Sequence, residues 1–333
     1  MRGKEDSTAK RLLSISFVLV AALTLVFLAA PFLGLPAYWM RFLTGIFMWV
    51  GLAGSWNVIG GYSGRVDFGH VVFFGAGMYI ATISILEYGI PWWISLFLGG
   101  VGAVALAFLV GLPTLRLAGA YFAIATWALA EAIKQLSLVL KVTGGTYGLV
   151  PPPILGREGS YYLMFLAMLA MTISNYLIER SKFGYGLKAL MESEVAAETL
   201  GVNTLRSKLL AFMVSALFPG IIGGVYALWI GYVYPYDAFS GLKTDQMVVM
   251  VFLGGVRSFL GPVIGAVFLQ VVFEFLWTYF GSEVIYLILL GVLIVISVIF
   301  IPGGILGLTR QRLPRARFFG LEKFSERFRR SAE

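Results

Sequence analysis

Three groups of residues in this chain carry side chains able to do chemistry. Arg65, Asp67 and His70 stand together in "GRVDFGH". Glu131, Lys134 and Gln135 are spaced i, i+3 and i+4, which places them on one face of a helix. Glu192, Glu194 and Glu198 crowd into "LMESEVAAETLGVN", residues 190–203. An acid beside an imidazole can move a proton, and carboxylates with histidine can bind a metal. His70 is the only histidine, there is no cysteine, and one imidazole with Asp67 is too small a ligand set. The chain has no Gly-x-Ser-x-Gly, and its one Gly-Lys pair, Gly3-Lys4, is followed by Glu5 instead of closing a phosphate-cradling loop. These residues argue against an enzyme and call for no metal or cofactor.

The elements that must position them are apolar. Of 333 residues, 59% are hydrophobic and 13% charged, against about 25% charged in an ordinary soluble domain. A hydrocarbon core of ~30 Å needs about 20 residues of helix. The runs predict an all-α polytopic membrane protein with about ten hydrophobic segments, eight to ten of them crossings. They lie near 12–34, 42–60, 69–87, 92–112, 119–140, 161–179, 209–232, 246–256, 259–280 and 284–301. The eighth is too short to cross alone and reads as a half-helix or a re-entrant segment. The first run is too long for a removable leader and reads as a retained span.

Lysine and arginine set the orientation. With both termini in the cytoplasm, the outer side holds only Arg41, Lys141, Arg157 and Lys243, while most other basic residues fall inside. This divides the chain into a cytoplasmic segment 1–11, a membrane domain 12–301 with a large cytoplasmic loop at 180–208, and a basic tail 302–333. The tail is suited to the anionic inner leaflet, and the +8 charge is read as membrane topology, with no nucleic acid implied. Residues 190–203 then lie in the cytoplasm. Ser193 is placed to cap a helix, Glu194 to favour its dipole and Gly201 to end it. Leu187, Leu190, Met191 and Val195 form an apolar face at helical spacing. Such a helix either lies on the membrane surface or docks a cytosolic protein, and three glutamates would be repelled by anionic headgroups.

Here a resemblance enters. "ESEVAAETLGVNTLRSKLLAFMVSALFPGIIGGVYA" is similar to the cytoplasmic loop and next helix of LivM-type permeases, subunits of branched-chain amino acid ABC importers. Glu194, Ala196, Ala197 and Gly201 match their coupling motif with one residue inserted after the glutamate. "NVIGGYSGRVDFGHVVFFGAGMYIATI", "LRLAGAYFAIATWALAEAIKQL", "VTGGTYGLVPPP", "FLGGVRSFLGPVIGAVFLQVVFEFL" and "IPGGILGL" resemble further family segments in the same order. The chain departs from the family in the charges of Arg65 and Asp67, and in Pro219, which would kink its helix. The resemblance implies a prokaryotic inner-membrane importer built with two cytosolic ABC ATPase subunits, a second homologous permease and an extracytoplasmic substrate-binding protein. Branched-chain amino acids are the implied substrates; urea, short amides and other small organic acids are alternatives.

For the pathway the candidates are Arg65, Asp67, His70, Tyr121, Glu131, Thr143 and Gly145. Each has a plainer reading beside it. Asp67 can cap the third helix, His70 can be a satisfied buried histidine, and Glu131 can pair with Lys134. The glycine pairs near Gly77, Gly99 and Gly223 can serve close helix packing instead of a channel. Aromatic residues at span ends, such as Trp39, Trp93 and Tyr161, read as interfacial anchors. A secondary transporter would leave the 190–203 helix unexplained and would show inverted repeats, none of which is evident.

Overall fold

The structure, a computed structural model, describes residues 26–280 together with 288, 291–292, 295 and 304–307. Apart from those positions, the expected first and last spans and the two terminal segments lie outside the described residues. The elements are α1 (Ala37–Trp56), a π-helical segment (Asn57–Tyr62), α2 (Val71–Leu86), α3 (Trp92–Thr114), α4 (Ala120–Val139), α5 (Arg157–Arg180), α6 (Lys182–Glu192), α7 (Glu194–Thr199), α8 (Thr204–Ile230), α9 (Pro235–Ala238), α10 (Gly241–Gly254) and α11 (Gly261–Phe280). Among the described residues six helices are long and apolar enough to cross a bilayer: α1 with its π-helical extension, α3, α4, α5, α8 and α11. The fold is therefore all-α and polytopic. Among the described residues the one β pairing is an isolated antiparallel bridge, Leu149 to Val233.

Prolines and glycines punctuate the bundle. Pro36 and Pro91 stand just ahead of α1 and α3, where a missing N–H removes no helical bond. Gly231 ends α8 at φ 73°. α8 runs unbroken through Pro219, a sequence position expected to kink it. Two expected spans are short: α2 has 16 residues and α10 has 14. α10 is joined to α11 by the tight turn 255–260, so the break expected between Gly254 and Gly261 is present.

The core is the packing of α2, α3 and α8, and glycines set its closeness. A Cβ added at Gly77 would collide with the Gly220 carbonyl, and one at Gly223 with the Phe74 carbonyl. At Gly99 an added Cβ would lie 3.0 Å from the Gly77 oxygen. Lipid tails are as apolar as leucine, so helices in a bilayer gain little by hiding apolar surface from each other and depend on close van der Waals contact. These glycines serve packing. Tyr161, expected as an interfacial anchor, is instead fully buried and donates its hydroxyl to the Phe27 carbonyl at 2.8 Å.

Leu149 and Val233 exchange two backbone hydrogen bonds of 2.7 and 2.8 Å. The Tyr232 hydroxyl adds a bond to the Tyr147 carbonyl at 2.7 Å. The loop after α4 is thereby fastened to the end of α8.

Gly77→Ala should destabilise the bundle by about 1–3 kcal/mol, the scale of overpacking a tight core. Gly241→Ala meets nothing within 4 Å and should change little. Thermal unfolding of the two variants in detergent checks the difference.

Candidate coupling and translocation site

The loop 180–208 is built by three local caps. Ser181 accepts from the Gly184 amide at 3.0 Å and starts α6. Ser193, in extended conformation, accepts from the Ala196 amide at 3.3 Å and starts α7. Gly201 follows at φ 83°, a left-handed conformation that favours glycine. The expected single helix over 190–203 is thus two helices broken at Ser193. The break changes the apolar face: Leu187 and Leu190 are buried under α6, but Val195 on α7 is 72% exposed, as is Leu200 at 79%. Ala196 is also exposed, while Ala197 is buried at the foot of α7. α7 therefore shows two apolar side chains to the solvent.

Glu194 faces the bundle. Its Oε1 takes both the Arg65 guanidinium and the Lys208 ammonium, so its charge is compensated from within the chain. Partial burial works against ionisation, yet hydrogen bonds and charge from Lys208 and Arg65 bring the Glu194 carboxyl below its ordinary value. A carboxylate lowered in the folded state contributes its stability above the ordinary carboxylate range and loses it as pH falls through the folded value. Glu194 stays ionised at neutral pH. Glu198 accepts from the Thr204 hydroxyl at 2.9 Å.

Arg65 belongs to the strap 63–70 between the π-helical segment and α2. Its backbone N donates to the Ile59 carbonyl at 3.2 Å, and its Nη1 donates to the Leu117 carbonyl at 2.7 Å. The strap then runs back beside α1, where Trp56 Nε1 donates to the Asp67 carbonyl at 2.7 Å. Asp67 and His70 are both fully buried. Asp67 Oδ1 accepts from the Gly69 amide at 2.8 Å, and His70 spans Asp67 Oδ2 and Ser55 Oγ, each at 3.0 Å. Asp67 was expected to cap the helix itself; it closes the turn ahead of it. α2 thus starts level with Ser55, inside the bundle, and side chains take the Val71 amide and two strap amides just ahead of it. Phe68 N donates to Thr126 Oγ1 at 3.2 Å and Val71 N to Thr244 Oγ1 at 3.1 Å.

The remaining candidates do not join this cluster. Glu131 accepts from Lys134 Nζ at 2.5 Å and from Gln135 Nε2 at 2.9 Å, a self-contained group on α4. Tyr121 is 73% exposed at the start of α4. Thr143 donates to the Ser137 and Leu140 carbonyls at 2.5 and 2.8 Å, and Gly145 holds φ 57° in the outer loop. A cavity of about 550 Å³ opens between the strap, the start of α4 and α6–α7, with Arg65, Phe68, Ala123, Met191 and Glu194 in its wall. Among the described residues no group of three His, Asp or Glu side chains could hold a metal.

Several contributors were not singled out from the sequence. Glu179 accepts from the Phe259 amide at 2.8 Å, and Arg257 pairs with Glu192 at 2.7 Å. The first ties the turn 255–260 to the end of α5 and the second ties it to the end of α6. Arg257 is the one non-glycine residue with positive φ (71°) among the described residues. Its isolation between two glycines was the available signal. For Thr126 and Thr244, nothing local marks them out.

The comparisons with known proteins agree along most of the chain. The family model described as branched-chain amino acid transport system / permease component matches residues 38–298. The high-affinity branched-chain amino acid transport system permease protein LivM of Escherichia coli K12 is 31% identical over 303 residues, covering 81% of this chain and 70% of that protein. LivM of Salmonella typhimurium LT2 is 30% identical over 341 residues, covering 93% and 78%. The guanosine ABC transporter permease protein NupQ of Bacillus subtilis is 32% identical over 108 residues, covering 32% and 34%. No solved structure matches. On this evidence the chain belongs to the branched-chain amino acid transport system permease component family.

Proposed function

We propose that this chain forms half of the membrane pathway of an ATP-driven importer for branched-chain amino acids. It works in a prokaryotic inner membrane beside a second homologous permease, with two cytosolic ATPase subunits below and a substrate-binding protein outside. Both termini are cytoplasmic, and residues 12–34 and 284–301 supply the first and last of about ten segments. The membrane domain runs from 12 to 301, between the short segment 1–11 and the basic tail 302–333. The relatives' names support the substrate class.

The observation that carries the ATP-driven reading is α7. A six-residue helix, held in place by caps and a buried alanine, exposes Val195 and Leu200 to the cytoplasm. Exposed apolar groups on a rigid support suit a protein partner. Glu194, Ala196, Ala197 and Gly201 form the coupling segment: Ala196 meets the ATPase, Ala197 and Glu194 anchor the helix, and Gly201 lets the chain leave it. Tyr121, Glu131, Thr143 and Gly145 are assigned to the pathway and its outer mouth. Asp67 and His70 hold the broken helix that borders the pathway. Arg65, first read with the pathway, is assigned to coupling by its bond to Glu194.

Two measurements test this. Ala196→Trp/Leu200→Asp changes only exposed positions, so the bundle should melt as before while ATPase binding weakens by about 2 kcal/mol, the scale of an interface hot spot. Unaltered co-purification of the ATPase would remove the docking role of α7. In proteoliposomes carrying all subunits, leucine, isoleucine and valine should be taken up only with ATP on the ATPase side. Uptake of another solute, with no response to these three, would refute the substrate class.

A further inference from the structure

A push delivered at α7 must leave it through few contacts. The chain itself leads from α7 into α8 at Thr204, and Lys208 on α8 grips Glu194 beside that covalent link. That route is redundant. Arg65 supplies a second route into different elements. Its guanidinium holds Glu194 and the Leu117 carbonyl together, joining α7 to the turn between α3 and α4, while its backbone begins the strap. A guanidinium meets two acceptors from two separate nitrogens held in a rigid fork, whereas an ammonium must reach both from one nitrogen.

The strap is suited to carry displacement. Its residues are bonded in sequence to Trp56, Gly69, Ser55 and Thr126, and it ends where the Val71 amide meets Thr244 on α10. Of the other ion pairs on this loop, Lys188 with Glu179, at 3.6 Å, joins α6 only to the adjoining end of α5, and Arg257 with Glu192 has side chains 48% and 68% exposed, against 11% and 40% for Arg65 with Glu194. Water screens the more exposed pair and leaves it little energy to transmit.

We propose that Arg65 is a positioning residue for transport: it couples movement of the α7 docking helix to the buried start of α2. This rests on the reading of α7 as the ATPase contact. Arg65 touches neither nucleotide nor the transported solute in this role. Removing its link severs the strap from α7 and leaves Glu194 neutralised by Lys208.

The test uses the complete importer in proteoliposomes and reads ATP hydrolysed per leucine imported. Arg65→Gln should raise that ratio about five- to tenfold, the scale of a typical coupling free energy between sites. Lys208→Gln removes the other cation from the same carboxylate and should leave the ratio near that of the natural chain. Arg65→Lys keeps the cation but offers one nitrogen where Arg65 uses two, and should fall between. An unchanged ratio in Arg65→Gln, or an equal rise in Lys208→Gln, would overturn the proposal. Should Arg65→Gln fail to assemble, Arg65→Lys decides alone: a raised ratio supports the role and an unaltered one rejects it. Failure of the natural chain to retain the ATPase would instead overturn the docking reading, and Arg65 with it. Retention of the ATPase with no shift in the ratio would reject Arg65 only.

Discussion

A helix that begins part-way through a membrane leaves amide groups with no water to receive them, and each such group left bare costs several kcal/mol. The start of α2 is the point on which this bundle depends. Asp67, Thr126 and Thr244 come from the strap, α4 and α10, and each accepts an amide bond near the start of α2. Satisfying one broken helix therefore fixes the placement of three other elements. His70 completes the arrangement by joining Asp67 to Ser55 of α1.

The same absence of water explains how the remaining helices hold together. With no hydrophobic force between helices in lipid, α2, α3 and α8 approach until backbone meets backbone, through Gly77, Gly99, Gly220 and Gly223. A rigid three-helix core and a strap bound to it can carry displacement with little loss. The loop that carries α6 and α7 stands outside that core, attached by Glu194 and Glu192 to partners of opposite charge. The acidic character of the loop thus serves internal attachment, and its exposed apolar residues are left for a partner.

Much of this could be read in the sequence, because apolar runs, prolines and caps act locally. The spans matching α1, α3, α4, α5, α8 and α11 were legible, as were the roles of Ser193 and Gly201 and the breaks near Gly64 and Gly255. The division of the loop helix at Ser193 was not, since a residue that caps one helix can also end the one before it. Periodicity across that break placed Val195 on the buried face, when it is exposed. The bonds of Arg65 to Glu194 and of Val71 to Thr244 join residues 129 and 173 positions apart. Spacing along a chain carries no sign of such pairs. Lys208 and Glu179 looked like ordinary cytoplasmic charges for the same reason.

The bridge between Leu149 and Val233 is made entirely of main-chain atoms. Its strength is therefore independent of which side chains the adjoining loop presents. Val150 and Ile154 just beyond it are exposed, so they can be exchanged for other residues while the anchor stays intact. The surface beside the bridge can thus acquire a new recognition chemistry without the helical bundle having to be rebuilt beneath it.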